Sequence, residues 1–153
     1  MFQRLGKCVA GVLAASLLVG VAVAASEAPY KEKGVGLVTN LAPGHIEFAG
    51  VGTATHVGKY TEVGGNDFDD QGHISNGAFV ITAKDGSTLS GTYFGTYAPL
   101  ATGELQFTLN ATYQVGTGRF AGVTGQADIV AVLPTLAPGA TFQYQGLGSL
   151  LLP

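Results

Sequence analysis

The chain has 153 residues, enough for one domain with a real hydrophobic core, and it carries seven basic residues, ten acidic residues and one cysteine. No basic cluster is present, which argues against nucleic acid and anionic lipid surfaces as partners, because phosphate binding needs concentrated Lys and Arg. Charged residues make up only 11% of the chain, so Thr, Ser, Asn and Gln must cover much of the surface, as they often do in β-rich exported proteins.

Arg4 and Lys7 precede an apolar and small-residue run from Val9 to Val23, and Ala22-Val23-Ala24 supplies the small-x-small pattern of a cleavage site. This pattern predicts a secretory signal peptide over residues 1–25, cleaved after Ala24 or Ala25, and a secreted or periplasmic location. The run is shorter than the roughly 20 apolar residues that a spanning helix needs, so no membrane insertion is expected after cleavage. Cys8 falls inside the removed segment. The remaining chain has no thiol for a disulfide, a nucleophile or a metal, and burial and backbone pairing must stabilise it. Its basic residues are Lys31, Lys33, Lys59, Lys84 and Arg119, which against ten acidic ones leave a net charge of −5.

Ser26 to Lys33, with Pro29 and alternating charges, reads as a solvated flexible leader, followed by a single barrel domain over 34–153. Turn signals recur at Pro43-Gly44, Gly64-Gly65-Asn66, Asp85-Gly86, Ala98-Pro99, Gly116-Thr117-Gly118 and Pro138-Gly139. The segments between them are short, rich in Val, Thr, Tyr and Phe, and lack helical periodicity. They predict strands over 34–39, 45–57, 59–63, 74–83, 88–98, 104–115, 126–133 and 141–151. The clearest is Glu104 to Val115, where Leu105, Phe107, Leu109, Ala111, Tyr113 and Val115 share one parity and the alternate positions are polar or charged. In the 88–98 segment Leu89, Gly91, Tyr93, Gly95 and Tyr97 share a face. In the 45–57 segment Ile46, Phe48, Gly50, Gly52, Ala54 and His56 do the same, and glycine alternating with large residues suits a closed or strongly bent sheet. The expected fold is therefore all-β, an eight-stranded antiparallel up-and-down barrel whose interior is either filled or holds one small ligand. Leu41-Ala42-Pro43-Gly44 recurs as Leu136-Ala137-Pro138-Gly139, which fits repeated hairpins.

Gly116-Thr117-Gly118-Arg119-Phe120 followed by Gly125 resembles the glycine-rich turn of plant dirigent proteins. The chain from residue 26 onward resembles the wider class of allene-oxide-cyclase-like barrels, small exported bacterial members included, and Gly52 to Lys59 is similar to a stretch seen in bacterial relatives. The resemblance implies an apolar cavity open at one end and assembly into dimers or trimers. The better-known members steer radical coupling or cyclise a reactive oxylipin by holding an intermediate in one shape. The turn is a structural signature, so Gly116, Gly118, Phe120 and Gly125 inherit a fold role and no chemistry. No position here is matched to the pocket residues of either family, and no catalytic residue is assigned.

The residues themselves offer few competing chemistries. Asp67-Phe-Asp69-Asp70-Gln71-Gly72 mimics the start of a calcium loop, but Ala78 stands where the bidentate glutamate belongs, and a solvated turn is expected. His45, His56 and His73 are scattered, so neither a metal nor any other cofactor is expected. No Gly-x-Ser-x-Gly elbow accompanies Ser87 or Ser90. Asn110-Ala-Thr112 matches the N-glycosylation pattern, which matters only in a eukaryotic secretory route. What remains is an inward set, Phe48, His56, Tyr93, Tyr97 and Tyr113, joined by Tyr60 beyond a bend. These side chains either fill the core or line a cavity in which Tyr and His orient an apolar ligand. Arg119 either meets a ligand carboxylate or pairs with Asp128 or a backbone carbonyl. The functional expectation is a homo-oligomeric barrel that binds or confines a small hydrophobic molecule. A cyclase or isomerase and a filled structural or surface-interaction barrel are the alternatives.

Overall fold

The structure, a computed structural model, describes residues 25–153. The expected signal peptide, except Ala25, and Cys8 lie outside the described residues. Alternating apolar and polar positions, punctuated by turn residues, build eight strands among the described residues: β1 (Ser26–Ala42), β2 (His45–Ala54), β3 (Gly58–Phe68), β4 (His73–Ala83), β5 (Thr88–Pro99), β6 (Leu105–Gly116), β7 (Thr124–Leu133) and β8 (Thr141–Leu152). Each pairs antiparallel with its chain neighbour, and β1 also pairs with β8, so the sheet closes as an up-and-down barrel. Closure leaves no free sheet edge among these strands.

Residues 26–33 are a correction to the expected leader. They form the first half of β1 and pair with β8 from Ser26↔Leu152 to Lys33↔Gln145. Of the alternating charges that read as solvation, Lys31 and Lys33 lie on the outward half of the strand, and Glu32 lies with Tyr30 on the buried inward half. Gly64-Gly65-Asn66 is likewise not a turn. It continues β3, with a register shift against β4 between Gly65 and Asp67. In β6 the register jumps between the Ser90↔Val115 and Gly91↔Tyr113 pairs, so Val115 turns outward, 59% exposed, despite its inward parity.

The barrel interior is built by aromatic rings lying over glycines. In register, Tyr144 stands opposite Gly34, Phe142 opposite Gly36, Tyr60 opposite Gly52, Phe48 opposite Gly64 and Tyr93 opposite Gly77. A Cβ at Gly52 would stand 2.6 Å from Tyr60 Cζ, and one at Gly64 would stand 2.6 Å from Phe48 Cζ. The missing side chains are therefore the space into which the rings fold, and they let the sheet coil tightly enough to close.

The two ends of the barrel differ. At the end holding the β2–β3, β4–β5 and β6–β7 connections, a 3-10 turn over Gly118–Phe120 places Phe120 in the core with Val57, Val123, Leu89 and Leu150. At the opposite end the β7–β8 loop bonds to β1, with Val38 N donating to Ala140 O at 2.9 Å and Gly139 N donating to Val38 O at 2.9 Å. Val38, Ile46 and Leu133 form a small second core there, against which Leu136, Ala140 and Phe142 pack.

Candidate functional site

Two short repeats in the sequence place carboxylates inside the barrel. Tyr30-x-Glu32-x-Gly34 on β1 and Tyr60-x-Glu62-x-Gly64 on β3 each set tyrosine, glutamate and glycine on the inward parity. The register puts Gly52 beside both Gly34 and Tyr60, and Gly50 beside both Gly36 and Glu62, while Glu32 pairs with Ala54. Glu32 thus lies one layer on one side of Tyr60, and Glu62 lies one layer on the other.

Glu32 is 6% exposed and takes three hydroxyl donors: Tyr30 at 2.9 Å and Tyr60 at 3.3 Å on Oε2, and Tyr113 at 3.0 Å on Oε1. Burial raises its pKa, and the three hydroxyls oppose that rise. Glu62 has a different environment. Burial first, and then the neighbouring charge of Glu32, push its carboxyl up to about 8, while one hydroxyl, that of Tyr144, favours the ionised form. The Tyr144 hydroxyl is also 2.9 Å from that of Tyr60. A run of hydroxyls therefore links the layer of Glu62 to that of Glu32. Loss of water around these phenols raises the pKa of Tyr30, Tyr60, Tyr93, Tyr113 and Tyr144, so they act as hydrogen-bond donors and not as phenolates.

Glu62 faces a cavity of about 80 Å³. Its wall is largely apolar, with Phe48, Phe79, Phe107, Ile129, Leu133 and Phe142 among its members, and Asn66, Tyr93, Tyr113 and Tyr144 are the other polar residues in it. Tyr93 donates to Asn66 Oδ1 at 2.9 Å, which fixes that amide. The space exceeds the roughly 10–15 Å³ that one water requires and is about half of a cavity known to hold benzene. A broader depression of about 1180 Å³ lies over β8, β1 and β2, among Lys33, Val35, Val51, Gln143 and Gln145. It is an outer-surface trough, and the smaller interior space is the better candidate because its wall is largely apolar with a few converging polar groups.

The structure brings together Phe48, Tyr93 and Tyr113 at the cavity wall, as their parity predicts. Tyr60 is buried behind that wall and reaches Glu32 and Tyr144. Three candidates lie elsewhere. His56 sits in the β2–β3 turn with φ 65°, its Nε2 3.2 Å from Pro29 O, because the strand ends at Ala54 and the inward parity ends with it. Tyr97 stacks on Phe107 at 5.5 Å between centroids and donates to Asp69 O at 2.6 Å, at the rim. Arg119 is outside the barrel: Nε meets Asp85 Oδ2 at 2.9 Å, and its terminal nitrogens donate to His56 O at 2.7 Å and Val57 O at 2.6 Å. Its partners are backbone carbonyls and Asp85, with no contact to Asp128, whose carboxylate takes Asn110 Nδ2 instead. Gly116 ends β6, and Gly125 is a paired strand residue of β7, so only Gly118 and Phe120 belong to the corner itself.

Arg119 therefore ties the β6–β7 corner to the β2–β3 and β4–β5 turns. Arg119→Ala is expected to lower the thermal midpoint by about 4 °C while leaving the affinity for any cavity ligand unchanged, measured by a melting curve and a binding titration on the same sample.

The acidic loop satisfies itself. Asp69 Oδ1 accepts the backbone N–H groups of Gln71 at 3.0 Å and His73 at 2.8 Å, and its Oδ2 is 2.8 Å from His73 Nδ1. These bonds, the backbone one first, hold the Asp69 carboxyl below its usual range. Among the described residues, no group of three or more His, Cys, Asp or Glu side chains is arranged to hold a metal ion. Glu32, Glu62, Tyr30, Tyr144 and Asn66 are the site residues absent from the sequence-based set. The signal for Glu32, Glu62 and Tyr30 was the repeated Tyr-x-Glu-x-Gly and the pairing of an acid with an apolar parity.

No family model, curated protein or solved structure matches the chain.

Proposed function

We propose that this barrel binds and confines one small, largely hydrophobic molecule in its interior, in the manner of the allene-oxide-cyclase-like and dirigent-like barrels that its glycine-rich corner resembles. The observation that carries this reading is the largely apolar interior cavity with a single carboxyl, Glu62, in its wall. Packed cores leave few voids larger than one water, and a carboxyl facing such a void is costly unless something in the void offsets the cost. Native mass spectrometry of the protein purified from its own host tests the reading. A bound mass that is lost on denaturation is expected. A bare chain that also fails to take up cyclopentane would contradict it.

A cyclase or isomerase is the second reading, favoured by the hydroxyl run between Glu62 and Glu32. Glu62 is suited to hold or accept a proton near neutrality, and Tyr144 and Tyr60 are suited to pass hydrogen-bond polarisation to Glu32. In that case Glu62→Gln abolishes turnover of a candidate substrate while Tyr97→Phe does not. Equal turnover in the wild type and Glu62→Gln would remove this reading and leave the binding one.

A homo-oligomer is part of the proposal. The outer faces of β1 to β4 expose Val35, Leu37, Val51, Val63 and Val80, and the register makes them contiguous through Val35↔Val51, Leu37↔Ala49↔Val63 and Val63↔Val80. Lys33 and Lys59 flank this patch on one side and Glu47 on the other, so a two-fold related copy would set opposite charges together. Val63→Lys is expected to turn the oligomer into a monomer in light scattering at unchanged thermal stability. A wild type that is already monomeric at high concentration would end the oligomer proposal.

A further inference from the structure

The chemistry of the cavity wall specifies more than a hydrophobic occupant, and that specification rests on the binding function proposed for the barrel. All the interior phenols have protein partners: Tyr30, Tyr60 and Tyr113 donate to Glu32, Tyr93 donates to Asn66, and Tyr144 stands against Tyr60. Asn66 Nδ2 donates to Asp67 O at 3.0 Å. The donors of the wall are thus committed, and what faces the void is acceptor capacity, concentrated on Glu62.

Among the described residues, no cation is placed to answer it. Lys31, Lys33, Lys59 and Lys84 are exposed, and Arg119 is bound to Asp85 and two backbone carbonyls at the barrel end. The titratable groups around Glu62 are Glu32 of β1, Tyr60 of its own strand, Tyr93 of β5, Tyr113 of β6 and Tyr144 of β8. β2, β4 and β7 present only Ile46, Phe48, Phe79, Ile129, Ala131 and Leu133 to the cavity. An ionised Glu62 therefore has one hydroxyl, a neighbouring like charge and no counter-ion.

We propose that the ligand of this cavity is a small primary aliphatic amine, whose hydrocarbon part fills the apolar wall and whose ammonium group pairs with the Glu62 carboxylate. An ammonium is an all-donor group, which complements an acceptor-rich wall, and its charge answers both Glu62 and the Glu32 charge behind it. A cavity of about 80 Å³ suits an amine of about five heavy atoms. In mildly acidic solution the free amine arrives as RNH₃⁺, the Glu62 carboxyl gives its proton to bulk water, and the ion pair forms with no other change.

This exchange gives the amine a pH signature that a hydrocarbon lacks. Glu62 sits at about 8 in the empty barrel. The apparent amine affinity must rise about tenfold per pH unit from pH 6 to 8, then level off until the amine itself loses its proton near about 10.

The test uses three probes of matched shape, isobutylamine, isobutanol and isopentane, titrated into the wild-type protein at pH 6, 7 and 8.5 and followed by NMR shifts of the interior aromatic rings. At pH 8.5 isobutylamine is expected to bind at least tenfold more tightly than isopentane, and only the amine is expected to strengthen with pH. In Glu62→Gln the ratio of amine to isopentane affinity should fall to about one. The wild-type pH series decides the matter even if that variant folds poorly. An amine that binds no better than isopentane, or whose affinity does not rise from pH 6 to 8, overturns the inference, and isobutanol outranking the amine at every pH overturns it in favour of a neutral hydroxyl ligand. Should isopentane bind while the amine does not, the cavity reading stands and only the amine inference falls. Should none of the three shift the interior rings, the cavity reading falls and takes the amine with it.

Discussion

Glu62→Gln is expected to make the barrel more stable above neutral pH and to flatten the dependence of stability on pH. In the unfolded chain this carboxyl releases its proton near 4.5, whereas in the barrel, burial and the Glu32 charge hold the proton until about pH 8. Between these values the native state binds more protons than the unfolded state, so stability falls as pH rises through the window and is fully retained below it. The displacement corresponds to roughly 3–5 kcal/mol across the window. Glu32, raised by burial as well, adds a contribution of the same sign that the substitution leaves in place. Denaturant unfolding at pH 4.5, 6.5 and 9 measures the effect. The wild type should lose stability steadily toward pH 9, and the variant should overtake it there. A wild type equally stable at pH 4.5 and 9 would mean that Glu62 reaches water.

The second large effect belongs to the glycine-rich corner. Gly118→Val is expected to destabilise the fold by about 3 kcal/mol or more, through two causes that add. Gly118 has φ 58°, a left-handed conformation that a β-branched residue strongly resists. A Cβ there would also overlap Ser87 Oγ, which accepts the Arg119 N–H at 3.2 Å and so anchors the corner to the β4–β5 turn. Phe120, 3% exposed, would be displaced from the barrel end with it. Thermal unfolding should show the loss, and the refolded fraction that remains native should keep its ligand affinity, because the corner is remote from Glu62. An unchanged melting curve would mean that the corner carries no structural weight.

The strand pattern was legible because a closed antiparallel barrel repeats one simple rule, alternation bounded by turn residues. Six of the eight strands overlap their expected spans closely, and the two exceptions, β1 and β3, are instructive. A leader over residues 26–33 follows from counting Lys31, Glu32 and Lys33 as one solvated set, whereas Glu32 belongs to the opposite parity from the lysines. That grouping hides Tyr30 and Glu32 and with them half of the polar interior. Gly64-Gly65 has a similar effect on Glu62. Two adjacent glycines signal a turn locally, but here they admit the Phe48 ring and a close approach to Ile46 O. Long-range registry decides between these uses of glycine, and no short window of sequence contains it.

His56, Tyr97 and Arg119 show the complementary error. Parity extrapolated beyond the end of a strand has no force, since His56 lies two residues past Ala54 in a turn. Tyr97 keeps the inward parity yet stands at the rim, where Phe68 and Phe107 take its ring and Asp69 takes its hydroxyl. Arg119 finds its carbonyl partners across turns 62 and 63 residues away in the chain. Phe48, Tyr93 and Tyr113, which alternation places well, lie in the middle of long strands, where it is reliable.

The apolar interior space beside Glu62 is the central feature of the barrel, and xenon tests it without reference to any biological ligand. Crystals of the protein pressurised with xenon should show a bound atom inside the barrel, between Phe48, Phe79, Tyr93 and Phe142, at the cavity of about 80 Å³. An interior with no xenon, its rings closed over one another, would contradict the binding function and leave a filled structural barrel in its place.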